Sequence, residues 1–467
     1  MKKFISLFLS VILTLSLIGT TACAEQKESY TQIFEKDKII DISIDIDDSD
    51  LEDIRNYPQN EEYHSADITV DGIKVENAGI RTKGNMTLKS VASSDSDRYS
   101  YRIKFNKYVK GNKLLGLDEL CLNNGYSDPS YMREYLHYEI LRELGMNAPE
   151  TAFCNVYING EYAGFYLAVE GLDDTFLEDN FGENHKNGNF YKMDEGSTLE
   201  YKEDENYSYA DLKSGNDEDL SSFKEFVKKL NDVTTGEKGD IESFLDVDSA
   251  LKYIASNTVL CNYDSYNGNM HHNFYLYEDE NGVFTVVPWD FNMSFGGFNG
   301  ENSEVGIDTP YISGSLETLP LINKLLSVPE YKEKYYGYIK DIMSMLEDFG
   351  DRVAELKSII SPYVKNDSTS FYSYDDFDKA TSSSGETVSS GADGSANRGG
   401  TSSIITCVEN RLKNLTEQFN GTASKTTTAQ NGGFRGGNRG GDNQPPQMNG
   451  DNQPPQMNGD NQPPQMN

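Results

Sequence analysis

From Ile40 to Ile46 the chain reads Ile-Asp-Ile-Ser-Ile-Asp-Ile, apolar and polar by turns, the period of a strand buried on one face. Residues 51–56 predict a short helix that ends before Pro58. Residues 66–73 and 75–81 predict a hairpin turning at Asp71 and Gly72. The basic run from Arg81 through Lys83 to Thr87 then reads as a turn, followed by a polar Ser/Asp loop. Residues 99–105 predict another strand, carrying Lys104.

From 131 to 144 the apolar period changes to that of a helix, capped upstream by Ser127 and Asp128 and stopped by Gly145. Residues 153–158 and 163–169 predict a second hairpin around Asn159 and Gly160, with Glu170 just beyond it. A polar stretch, 173–219, precedes predicted helices at 220–230 and 249–260. Two apolar strands, 274–277 and 284–287, flank a turn at Glu280, Asn281 and Gly282. Helices follow at 319–326 and 331–346, then a Ser/Gly/Asp-rich loop or insert at 365–403, then a last helix at 404–419. Strands first and helices later predict an α+β protein, with a strand-rich part and a mostly helical part. From 422 onward the chain is low in complexity and ends in three copies of Gly-Asp-Asn-Gln-Pro-Pro-Gln-Met-Asn. A repeat with no apolar face cannot bury a core, so 422–467 is expected to be a disordered tail.

Composition narrows the function classes. The net charge is −35, which disfavours binding to nucleic acid, because phosphate neutralisation needs Lys and Arg. Lys2 and Lys3, an apolar run over 4–18 and the small residues up to Ala24 predict a secretory signal over 1–24, hence export to the outside or the cell surface. Two readings of its end stay open: cleavage after Ala24, or lipid acylation of Cys23, which would be the chain's one attachment to a membrane. Cys121, Cys154, Cys261 and Cys407 form no CxxC pair and are expected as buried thiols, with a single disulfide as the alternative.

The second hairpin region carries the chemistry. Asp264 lies in a polar loop, Asn273 opens the 274–277 strand, and Asp290 follows Pro288 and Trp289. Two carboxylates and an amide are hard oxygen donors, the kind Mg2+ takes. Phosphoryl transfer also needs a cation on the phosphates and a carboxylate near the attacking hydroxyl. Protein kinases present these parts in a set order, and the order is met here by Lys104, a glutamate on the 131–144 helix (Glu134, or Glu139 one turn on), Glu170, Asp264, Asn273 and Asp290.

The residues also resemble the CotH (spore coat protein H) family of atypical protein kinases. The match is carried by Arg81-Thr82-Lys83-Gly84-Asn85, by Leu122-Asn123-Asn124 with Asp128 and Met132-Arg133-Glu134, by Asn159-Gly160-Glu161-Tyr162-Ala163-Gly164 up to Glu170, and by Asn189-Phe190-Tyr191-Lys192. It ends with Asn273-Phe274-Tyr275-Leu276-Tyr277 and Pro288-Trp289-Asp290-Phe291-Asn292. The resemblance covers roughly residues 31–421 and implies a kinase-like two-lobed fold there, ATP with Mg2+ or Mn2+ as cofactors, and phosphorylation of Ser or Thr on secreted or coat proteins. Asp264 would be the catalytic carboxylate and Asp290 the principal metal ligand. For the amide ligand, Asn269 gives the Asp-x4-Asn spacing of ordinary kinases and Asn273 the position before the strand; Asn273 is preferred. For the phosphate cation Lys104 competes with Lys83 and Arg81, because no Gly-rich loop is present and the basic turn could cover the phosphates instead. A Ser/Thr-rich and basic protein substrate is the expected partner. A non-catalytic adhesion or scaffold protein on the same fold is the alternative.

Overall fold

In the computed structural model, residues 29–427 are described except 299, 384, 386 and 389–400. The expectations for the signal segment, Cys23 and the repeats concern residues outside that set.

The alternation at the start of the domain becomes β1 (Ile39–Ile46). It pairs antiparallel with β2 (His64–Val70), which continues through a turn at Asp71 and Gly72 into β3 (Ile73–Lys83). β4 (Ser100–Lys104), β5 (Glu119–Asn123), β6 (Thr151–Ile158) and β7 (Glu161–Glu170) complete a closed barrel in the order β1-β2-β3-β4-β5-β7-β6. Closure comes from a parallel pairing of β1 with β6, Ile42 opposite Val156. Alternate side chains fill the interior: Ile40, Ile42, Ile44, Ile68, Val70, Ile80, Ile103, Leu120, Leu122, Val156 and Ala168 share one buried cluster. Seven strands closed on themselves leave no exposed sheet edge.

The outer face of the barrel is buried on one side as well, which is why β6 and β7 are apolar nearly throughout. Phe153, Phe165, Leu167 and Val169 join a second, larger core with the helix α3 described below. The chain also forms α1 (Asp48–Asn56) and α2 (Met86–Ala92), the latter where the sequence predicts a polar loop. α3 (Arg133–Glu143) lies on the barrel's outer face, with Tyr135 stacked on Phe153 at 4.6 Å. It begins two residues later than predicted because Tyr131 takes a left-handed φ of +60°, its hydroxyl bonded to Ser370 at 2.7 Å.

The predicted polar stretch holds α4 (Asp174–Phe181), β8 (Asn189–Met193) and β9 (Ala210–Ser214), none of them anticipated. Each is short and shares its apolar positions with aromatic stacking across strands, such as Phe190 on Tyr275, so no period shows. α5 (Ser221–Asp232) and α6 (Val247–Val259) follow as predicted, and α6 is buried on nearly all sides. β10 (Phe274–Glu278) and β11 (Phe284–Pro288) form the expected hairpin and join a sheet of order β11-β10-β8-β9. α7 (Pro320–Leu326), α8 (Pro329–Met345), α9 (Phe349–Asn366), α10 (Tyr374–Ala380) and α11 (Ile404–Asn420) complete the helices. α9 was not anticipated, and α10 corrects the reading of 365–403 as a loop: Ser373 and Asp376 close a capping box that starts it. Eleven helices with a barrel and a second sheet make the α+β class plain among the described residues. No helix of the described residues is long and apolar enough to cross a membrane.

Candidate active site

The β10–β11 hairpin carries the site. Phe274 pairs with Pro288, so Asn273 just before β10 and Asp290 just after β11 emerge at the same end. Both hold a left-handed backbone, φ +61° and +60°, which residues other than glycine keep only where their surroundings require it. Asp264 in the preceding loop is tied to Asn273, whose Nδ2 donates to the Asp264 backbone oxygen at 2.8 Å and to its Oδ2 at 3.3 Å. Both bonds use the amide nitrogen and leave Oδ1 of Asn273 for another partner. His272 Nε2 lies 2.8 Å from Asp264 Oδ1.

The segment after Asp290 is anchored from α3. Tyr138 Oη accepts from the Asp290 N–H at 3.2 Å, and Phe291 packs 3.8 Å from the His137 ring. Arg133, 1% exposed, donates to the carbonyls of Ser294 and Phe295 at 2.6 and 2.7 Å.

The barrel's outer face supplies the positive charge. Lys83, at the end of β3, donates to Asn123 Oδ1 at 2.6 Å, and Asn123 Nδ2 donates to Glu134 Oε2 at 2.7 Å. Lys83 Nζ also stands 5.9 Å from the centre of the Trp289 ring. Burial and the nearby Asp290 charge push Glu134 up to about 7, against the pull of Lys83 and Asn123. Burial likewise raises Asp290; Lys83 opposes this, Asp264 adds to it, and His272 and Lys192 oppose it. Burial alone would lower His272, but the Asp264 carboxylate, with Asp290 and Glu195 beyond, holds it above its ordinary value.

Three carboxyl groups therefore converge where their mutual repulsion is only partly relieved by cations of the chain. Two carboxylates and an amide oxygen suit Mg2+ or Mn2+. Among the described residues no three His, Cys, Asp or Glu side chains are close enough to hold an ion unaided. That donor set fits a cation which takes its remaining oxygens from a phosphate substrate and water, as Mg2+ commonly does.

The structure thus brings together Asp264, Asn273, Asp290, Lys83 and Glu134. It places the other candidates elsewhere. Asn269 is exposed, because the loop turns tightly at Gly268 against the Tyr263 carbonyl. Lys104 pairs with Gly79, four residues along β3 from Lys83, roughly 13 Å at strand spacing, and acts on Asp173. Arg81 is occupied by Glu61 and lies 5.3 Å from the Tyr63 ring centre. Glu170 accepts from Tyr30 Oη and the Glu150 N–H, both at 3.0 Å, and Glu139 pairs with Lys36 and Arg352. His272, expected as a polar loop residue, and Lys192, the last residue of the Asn189-Phe190-Tyr191-Lys192 run, take their places at the site only through the folded loop and the register of β8 with β10, Lys192 opposite Tyr275. Asn123 reads as structural in the sequence, although its position on the outward face of β5, two residues beyond Cys121, was legible. A cavity of about 580 Å3 opens at one end of the barrel among Tyr101, Tyr126, Tyr162, Tyr166 and Phe371; none of the candidate residues lines it.

A family model described as CotH kinase protein matches residues 80–415. The "Inner spore coat protein H" of Bacillus subtilis is 28% identical over 286 residues, which cover 58% of this chain and 75% of that protein. "Invasin CotH7" of Rhizopus delemar is 24% identical over 225 residues, 46% of this chain and 37% of the invasin. "Invasin CotH2" of the same organism is 23% identical over 257 residues, 50% of this chain and 43% of the invasin. The matches thus span less than half the length of the two invasins.

Proposed function

This chain belongs to the CotH kinase protein family, and from that premise we propose that it is an exported atypical protein kinase, transferring the γ-phosphate of ATP to Ser or Thr of secreted, surface or coat proteins. The observation that carries the proposal is the convergence of Asp264, Asn273 and Asp290 at one hairpin end, opposite Lys83 and Glu134. In this reading the barrel with α3 and the helices with the second sheet act as the two lobes of a kinase-like fold, and the cleft between them takes the nucleotide. Similarity to a spore coat protein and to invasins supports a coat or surface location.

Asp290 and Asn273 Oδ1 would hold Mg2+ or Mn2+, which when bound neutralises charge on the phosphate oxygens. Lys83 binds the phosphates from the barrel side, and Asn123 and Glu134 hold its ammonium in place. Asp264 orients the attacking hydroxyl and accepts its proton. Asn273 and His272 fix the Asp264 carboxylate so that it needs no reorganisation during the reaction. The net charge of −35 favours encounter with a basic, Ser/Thr-rich substrate. Attachment to a membrane would come through a lipid on Cys23.

The test is transfer of label from γ-labelled ATP, with Mg2+ or Mn2+, to a Ser-rich protein mixture. Asp290→Ala and Lys83→Ala should each lower incorporation by about 100-fold or more, whereas Lys104→Ala should stay within a few-fold of wild type. Equal incorporation by wild type and Asp290→Ala would sink the kinase reading. The names of the two invasin relatives favour a second reading, a surface adhesion protein that binds without catalysis. Nucleotide-independent attachment to cells, unchanged in Asp290→Ala, would support it.

A further inference from the structure

Cys261 and Cys407 lie 146 residues apart in the chain yet meet in the core. Cys261 follows α6 directly and precedes the Asp264 loop; Cys407 sits in the first turns of α11. Both are buried free thiols whose side chains are close enough to shift one another's titration. Gly296 fixes the approach from a third direction. Its N–H donates to the Cys261 carbonyl at 3.3 Å, and a Cβ on Gly296 would stand 3.2 Å from Cys407 Sγ. The two helices are also clamped in register: Arg411, one turn after Cys407, donates to the Thr258 carbonyl at 3.1 Å and to the carbonyls of Ser303 and Val305 at 2.7 Å.

We propose that Cys261 and Cys407 are a cross-linking site, joined by a disulfide that ties the start of the Asp264 loop to the last helix. The other two cysteines are placed differently, Cys154 inside the barrel and Cys121 on its outer face. A metal is the less suitable occupant, because no cluster of three ligating side chains exists among the described residues. The two thiols lose two electrons and two protons to a small-molecule or protein disulfide, which leaves as two thiols. Burial of both sulfurs keeps the oxidant out of the finished core, so the bond forms before α11 has docked. The cross-link makes no use of the kinase chemistry and stands whether or not that reading does.

The experiment is a thiol count on the full chain, which holds five cysteines. The chain is refolded with oxidised glutathione, alkylated under denaturing conditions and digested without reductant. Three alkylated cysteines and a peptide pair joining Cys261 to Cys407 are expected. Cys261→Ser and Cys407→Ser should each show four thiols and no joined pair. Reductant should lower the melting temperature of the wild type but not of the Cys261→Ser/Cys407→Ser chain. Five thiols in the wild type, a joined pair involving other cysteines, or zinc bound stoichiometrically to the Cys261 and Cys407 thiols would each overturn the proposal. The wild-type count decides even if a variant fails to fold.

Discussion

Glu170 shows how a candidate site residue can be acidic, buried and structural at once. Its carboxyl accepts from the Glu150 N–H, and the Tyr30 hydroxyl shares its one proton between Glu170 at 3.0 Å and Asp179 at 2.6 Å. Burial nevertheless wins and raises Glu170 from 4.5 to about 7. The folded state therefore holds a proton that the unfolded chain releases between those values. The contribution is complete below about pH 4.5 and is lost as pH rises through about 7, by up to about 3 kcal/mol. Glutamine can replace both contacts, its oxygen accepting from Glu150 and its NH2 donating to the Tyr30 oxygen. Glu170→Gln should thus flatten the fall in stability from pH 5 to pH 8, read by urea denaturation at each pH. Parallel curves for wild type and variant would show that this carboxyl does not titrate in the window. Local order is enough to put Asp290 and Asn273 at the same end of one hairpin, so their proximity is legible in the sequence. The distance of Lys104 from Lys83 is set by strand register, which no local pattern reveals.

At the level of elements, the loop 262–273 decides which side chains reach the site. Asp264 and Asn269 have the spacing of an ordinary kinase loop, yet Gly268 turns the backbone so closely against Tyr263 that any Cβ would overlap the Tyr263 carbonyl oxygen. That contact sends Asn269 outward and leaves Asn273 to close on Asp264. Asn267 reinforces the turn by donating to the Pro310 carbonyl at 2.7 Å. Gly268→Ala should therefore open the loop, lowering phosphate transfer at least tenfold while the far-ultraviolet circular dichroism stays that of wild type. Full activity in this variant would mean that Asp264 is held by its neighbours alone. The elements hidden from sequence reading have physical causes in common. β8 and β9 are five residues long and lean on cross-strand aromatic pairs. α9, by contrast, carries Val353, Leu356, Ile360 and Val364 on one face, a legible stripe interrupted by Pro362 near its end.

Across the whole molecule, the barrel interior and the helical part have separate hydrophobic clusters, and a buried ion pair lies between them. Arg98, at the end of the loop before β4, donates to Asp367 at 2.5 Å, to Thr369 at 2.8 Å and to the Asn124 carbonyl at 3.0 Å. Asp367, just past α9, also accepts from the Phe165 N–H at 2.9 Å. Both side chains are almost fully buried, at 1% and 0% exposure. Such a pair contributes little net stability relative to apolar groups of the same shape, yet removing one partner leaves a charge buried and unpaired. Asp367→Ala should cost about 3–5 kcal/mol. The loss falls at the junction of the two clusters, so denaturant unfolding should separate into two transitions, followed by Trp289 fluorescence for one side and far-ultraviolet circular dichroism for both. Arg98→Met combined with Asp367→Leu removes both charges and should recover most of the loss. If Asp367→Ala unfolds in one transition at the wild-type midpoint, the pair does not couple the clusters, and the apolar packing of α3 on the barrel does so alone.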